Sequence, residues 1–150
     1  MYRPTANVVD DEAAWQILAD SRAGHLVTAA GGALDATFLP YIVDVEGGRV
    51  LAHFARSNPQ WRSAPGAPAM LIATGADAYV SPSFYATKQQ TGKVVPTWNY
   101  TVVHAHGTLH LHDDIEWLRQ LVDRLTNLHE QTFDVRGPSP TRQRSTSSAT

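Results

Sequence analysis

Two stretches of helical period bracket this chain, and nothing between them holds that period. Near the start, Ala14, Ile17, Leu18 and Ser21 fall on one face. Asp10 or Asp11 can cap that helix, Glu12 complements its positive end, and Gly24 supplies a stop. Near the end, Leu118, Leu121, Val122, Leu125 and Leu128 form an apolar stripe. Asp113 and Glu116 open that second helix in capping-box spacing, with Asp in place of the usual Ser or Thr. The middle breaks into strand-like runs at turn signals. Residues 25–30 precede Gly31-Gly32, and residues 34–45 carry Pro40 as an edge or bulge position. Glu46-Gly47-Gly48-Arg49 then leads into residues 50–55. After a loop at 63–68, residues 69–74 and 78–81 flank a turn at Gly75-Ala76-Asp77. A loop fills most of 82–96, and residues 99–112 read as a long strand with Gly107 as a bulge. Helix, many short strands, then helix predicts an α+β domain around a small antiparallel barrel.

At 150 residues the chain is sized for one domain. Its 43% apolar and 17% charged residues suit a globular core. The last stretch differs: half of residues 137–150 are Ser or Thr, and none is large and apolar. Such a segment cannot offset its ordering entropy, so the expectation is a domain over 1–136 and a disordered tail over 137–150. The absence of cysteine excludes disulfides, thiol nucleophiles and Cys-ligated metals. Twelve Lys+Arg against fourteen Asp+Glu leave a net charge of −2, without the cation excess that a broad DNA-binding face needs. No apolar run suits a membrane span and no secretory leader is visible, so the expected compartment is the cytoplasm.

The segment His53-Phe54-Ala55-Arg56-Ser57-Asn58-Pro59-Gln60-Trp61 carries the best local chemistry. A strand delivers an Arg and two small polar residues to a helix start, where amide donors and a guanidinium fork suit a phosphate. An ordinary helix cap with a surface arginine is the alternative. In Val95-Pro96-Thr97-Trp98-Asn99-Tyr100, two aromatics share a strand face on which a planar ring could lie; core or dimer-interface packing is the alternative. Ser81, in Tyr79-Val80-Ser81-Pro82-Ser83-Phe84-Tyr85, has no local base and reads as part of a rigid turn. His104 and His106 share a strand face, as do His110 and His112, and a half-exposed strand explains them better than a metal does.

These segments, with Met-Tyr-x-Pro at 1–4, Leu39-Pro40 and Leu125-Thr126-x-x-His129-Glu130, resemble the PaiB-type FMN-binding negative transcriptional regulators of bacteria. The resemblance covers residues 1 to about 133. It implies an antiparallel split β-barrel related to pyridoxamine-phosphate oxidases, with flanking helices. It also implies a homodimer with FMN in a cleft between the chains. Carried over, His53, Arg56, Ser57 and Asn58 would hold the phosphate and ribityl chain, with Arg56 the main charge partner. Thr37, Leu39 and Pro40 would lie beside the isoalloxazine, and Trp98 and Asn99 would reach it from the partner chain or the rim. Members usually continue past the second helix with a further strand and helix, where this chain has its Ser/Thr-rich tail. The expected function is that of an FMN-binding regulator, with direct DNA contact its weaker component. An FMN-dependent oxidoreductase using a nicotinamide donor, and a member that has lost flavin, are the alternatives.

Overall fold

A computed structural model describes residues 4–86, 88, 92 and 94–134. The tail expected at 137–150 lies outside the described residues, as does part of the loop expected at 82–96. Helix α1 (Asp11–Ser21) is capped by Asp10, whose carboxylate accepts from the Ala13 amide at 2.8 Å. Its end differs from the expectation. Arg22, with φ 55°, takes the left-handed position, and Gly24 instead lies inside strand β1 (Ala23–Ala30). Gly24 is needed there for a different reason: a Cβ would sit 2.5 Å from the Ile72 carbonyl oxygen.

Strand β2 (Ala33–Asp44) returns through the Gly31-Gly32 turn, and β3 (Arg49–Ala52) follows the expected hairpin. Asp44 closes that hairpin, accepting from Arg49 Nε at 2.7 Å and from the Gly47 amide at 3.0 Å. The arginine hydrogen bond, then the amide, hold the Asp44 carboxyl below its ordinary range. β3 pairs with β2 only from Tyr41 to Asp44, so Pro40 sits where that side of β2 is free, as its missing amide requires. The short helix α2 (Gln60–Ser63) leads to β4 (Pro68–Val80), and β5 (Thr97–Thr108) follows.

The two strands expected at 69–74 and 78–81 are one. Gly75-Ala76-Asp77 is absorbed as a register shift between Thr74 and Asp77, because both flanks pair with β5. Gly107 is no bulge; it pairs in register with Ala69. β5 ends at Thr108, which leaves His110 and His112 beyond the strand. Helix α3 (Ile115–Asp134) is capped by Asp114, which accepts from the Trp117 amide at 2.7 Å, rather than by Asp113. Asp113 turns instead to Arg56.

The five strands form one antiparallel sheet in the order β3-β2-β1-β4-β5. Register sorts its faces. Leu26, Leu39, Tyr41, Leu71, Ala73, Val103 and Ala105 point inward, where Leu18 of α1 joins them in the core. The Tyr41 hydroxyl donates to the Leu18 carbonyl at 2.8 Å, and burial pushes its pKa up to about 12. His25, Phe38, Ile72 and His104 point outward. The fold is the expected α+β architecture with a curled antiparallel sheet at its centre. No described helix is long and apolar enough to cross a membrane.

Candidate functional site

The turn from β3 into α2 has two sides. On the inner side, Asn58 Oδ1 accepts from the Gln60 amide at 2.9 Å, and Asn58 Nδ2 donates to Thr37 Oγ1 at 2.8 Å. The Thr37 hydroxyl donates in turn to Gln60 Oε1. Gln60 Nε2 donates to the Leu26 carbonyl (3.1 Å), Thr28 Oγ1 (3.0 Å) and the Asp35 carbonyl (3.2 Å). Gln60 is fully buried, and this amide pins the turn to β1 and β2. No helical or strand period marks Gln60 in the sequence. Its only signal is a polar residue between Pro59 and Trp61, where the turn enters the core.

The outer side is unspent. Arg56 is 71% exposed, and one of its terminal nitrogens meets Asp113 Oδ1 at 3.2 Å; Asp113 is itself 66% exposed. The guanidinium lies 5.5 Å from the Trp61 ring centroid, and Trp61 Nε1 donates to the Arg56 carbonyl at 3.2 Å. That ring braces the loop and the base of the arginine. Ser57 is exposed, and no bond to its hydroxyl is recorded among the described residues. His53 Nδ1 is buried and has no hydrogen-bond partner among the described residues. The expected amide donors of a helix start drop out of the anion argument. α2 spans four residues, Pro59 precedes it rather than beginning it, and Asn58 already takes the Gln60 amide. Guanidinium and side-chain donors are left to carry the charge.

His53 and Arg56 also line a cavity of about 760 Å³. Its floor is apolar, from Trp15, Leu26, Phe54 and Leu71, and its walls come from β3 and β5. The structure thus gathers His53, Arg56, Ser57, Asn58 and Thr37 at one corner. Leu39 is buried in the core and Pro40 is exposed on β2. Trp98 and Asn99 are elsewhere, at the far end of the β4–β5 ribbon, opposite Tyr79 and Ala78. There Trp98 Nε1 donates to Asp77 Oδ1 at 2.9 Å, and Trp98 and Tyr100 are both exposed. His104 and His106 do neighbour each other, 6.3 Å apart between ring centroids. Among the described residues no three His, Asp or Glu side chains converge on a metal position.

Comparison with known proteins shows the family and the fold. The family model described as "Putative FMN-binding domain" matches residues 1–148. The chain belongs to that family. It is 34% identical over 111 residues to protease synthase and sporulation protein PAI 2 of Bacillus subtilis, a match that covers 71% of this chain and 51% of that protein. It is 32% identical over 101 residues to an uncharacterized protein of Saccharomyces cerevisiae, covering 64% of this chain and 60% of the relative. The chain therefore spans half to three-fifths of the curated relatives it matches. Among solved structures, the FAD and heme binding protein of Mycobacterium smegmatis superposes with a TM-score of 0.62 at 19% identity, over 90% of this chain and 61% of that one. That likeness shows the split-barrel fold, and the family is one whose cofactor is FMN.

Proposed function

We propose that this chain binds FMN at the corner formed by residues 53–58, with Arg56 as the phosphate's charge partner. One observation carries the assignment: three adjoining polar groups have binding capacity that the fold does not use. Besides the Trp61 ring, Arg56 meets one exposed carboxylate among the described residues, a pairing worth about 0–1 kcal/mol, so an anion can displace Asp113 at little cost. Ser57 offers beside it an exposed hydroxyl with no bond among the described residues. His53 Nδ1, buried and unpartnered among the described residues, gains a bond from a ribityl hydroxyl. This donor set fits a flexible polyol ending in a phosphate. Asn58 and Thr37 hold the loop in position through each other and Gln60. Leu39 and Pro40 continue the same strand towards the ring. Bound FMN supplies electron-transfer chemistry; the protein's part is to orient it and shield it.

The functional unit in this reading is a homodimer. Leu34, Phe38, Tyr79, Trp98 and Tyr100 are all more than half exposed on the outer face of one sheet, a large apolar surface for a lone chain. A second copy that covers this face brings its own Trp98 and Asn99 towards the flavin. The regulatory role follows from the resemblance to PaiB-type regulators, with the flavin as the sensed ligand. The test is a visible spectrum of the purified chain through gel filtration with added FMN. One FMN eluting per chain, at the mass of a dimer, is the expected result. A colourless peak at saturating FMN would remove the flavin assignment, and a yellow monomer would remove the dimer alone.

A further inference from the structure

We infer that Arg62 is a second cation for the flavin's phosphate and makes the corner selective for a doubly charged phosphate monoester. The inference rests on the placement of FMN at residues 53–58 and adds a residue to that site. Residues 47–76 carry Arg49, Arg56 and Arg62 and contain no Asp or Glu. The three guanidiniums are spent differently. Arg49 is held by Asp44 at 2.7 Å, within its own hairpin. Arg56 meets Asp113 at 3.2 Å. Arg62 is exposed, and among the described residues no carboxylate pairs with it.

Trp61 brings the last two together. The Arg56 guanidinium lies 5.5 Å from the centre of its ring and the Arg62 guanidinium 4.9 Å, so the two cations are within roughly 10 Å of each other. The ring is fixed by its Nε1 bond to the Arg56 carbonyl at 3.2 Å, and the Arg62 amide donates to the Pro59 carbonyl at 3.0 Å. Attraction to one indole offsets part of the repulsion between the two cations. Charge then decides what the pair suits. A phosphate monoester carries about −1.5 to −2 at pH 7. Arg56 with Asp113 beside it leaves most of that charge unmatched. Once the phosphate displaces Asp113, Arg56 and Arg62 together match it. Each guanidinium presents planar donors that bond phosphate oxygens at about 2.7–2.9 Å, and both side chains are exposed and able to turn towards one group. A phosphodiester, with a single charge, needs Arg56 alone. The corner thus separates FMN from riboflavin through Arg56, and from a singly charged ester through Arg62.

Titration of the full chain at pH 8, where the monoester has lost its second proton, tests this with three ligands of rising charge. They are riboflavin, riboflavin 5′-methyl phosphate and FMN, and the readout is flavin fluorescence. In Arg62→Gln, FMN affinity should fall about fivefold, the scale of an exposed ion pair, while the methyl ester and riboflavin change by less than about twofold. Arg62→Lys keeps the charge and should recover most of the FMN affinity. The melting temperature without flavin should stay the same in both variants, since Arg62 is exposed. An FMN affinity equal in the wild-type chain and Arg62→Gln would overturn the inference. Equal losses for all three ligands would overturn it too, by assigning Arg62 to the support of Trp61 rather than to the reading of charge. Arg56→Ala separates this from the placement of the flavin. If Arg56→Ala removes the preference for FMN over riboflavin while Arg62→Gln leaves FMN binding intact, the placement stands and the role of Arg62 falls. If neither substitution alters that preference, the phosphate lies elsewhere and both fall.

Discussion

Residues 53–57 and residues 58–60 adjoin in the chain and behave as opposites. Asn58 and Gln60 have their polar atoms bound to β1, β2 or each other, and Gln60 is sealed from solvent. Arg56 and Ser57 reach solvent, and His53 keeps a buried nitrogen without a partner among the described residues. A saturated polar network rigidifies its surroundings, whereas unspent donors beside it are available to a ligand. Asn58 and Gln60 hold the turn in shape, which leaves polar atoms of His53, Arg56 and Ser57 outside that network.

The contrast is broken most severely at Gln60. Gln60→Leu leaves two carbonyls and a hydroxyl without their donor, and urea unfolding should show a loss of about 3 kcal/mol. Asn58→Ala should lose about 1–2 kcal/mol in the same measurement, since it releases Thr37 and the Gln60 amide together. Tyr41 tests the core behind the turn. Its folded pKa is raised, so the neutral form is favoured in the folded state. Stability should be full below pH 10 and fall as pH rises from there towards about 12. Tyr41→Phe should lose about 1 kcal/mol at neutral pH and flatten that alkaline decline. Ser57→Ala, on the unspent side, should move stability by less than about 0.5 kcal/mol. The smallest effect is expected at His104, on the outer face. Burial, with His106 adding to it, lowers its pKa, so the unfolded chain takes up a proton before the folded one does. Stability should slip as pH falls below the ordinary histidine value, and the slope of melting temperature against pH should be shallower in His104→Gln.

Much of the scaffold could be read from residue patterns. The Asp10 cap, the Gly31-Gly32 turn and the hairpin at 46–49 are local signals with local causes, and all three hold. Where tertiary pairing decides, local signals mislead. Gly75-Ala76-Asp77 has turn composition, yet β5 pairs on both sides of it and keeps the strand continuous. Gly24 looks like a helix stop and is in fact a point of close strand approach. Asp113 stands three residues before Glu116 and by spacing looks like the cap, yet Asp114 takes that place and Asp113 meets Arg56. At the candidate site, the expectation for Arg56 rests on its type and its place after a strand, and the structure leaves its guanidinium exposed there. Gln60 was not legible, because nothing local shows that one amide will meet three strand positions at once.

Arg56 gripping the flavin's phosphate is the central claim, and a two-by-two titration reaches it most directly. FMN and riboflavin, which differ only by that phosphate, are titrated into the wild-type chain and into Arg56→Ala. The substitution should weaken FMN by about 10–100-fold, the scale of a charge-assisted hydrogen bond, while riboflavin affinity and melting temperature hardly change. An FMN affinity unchanged by Arg56→Ala, or the same loss for both flavins, would contradict it.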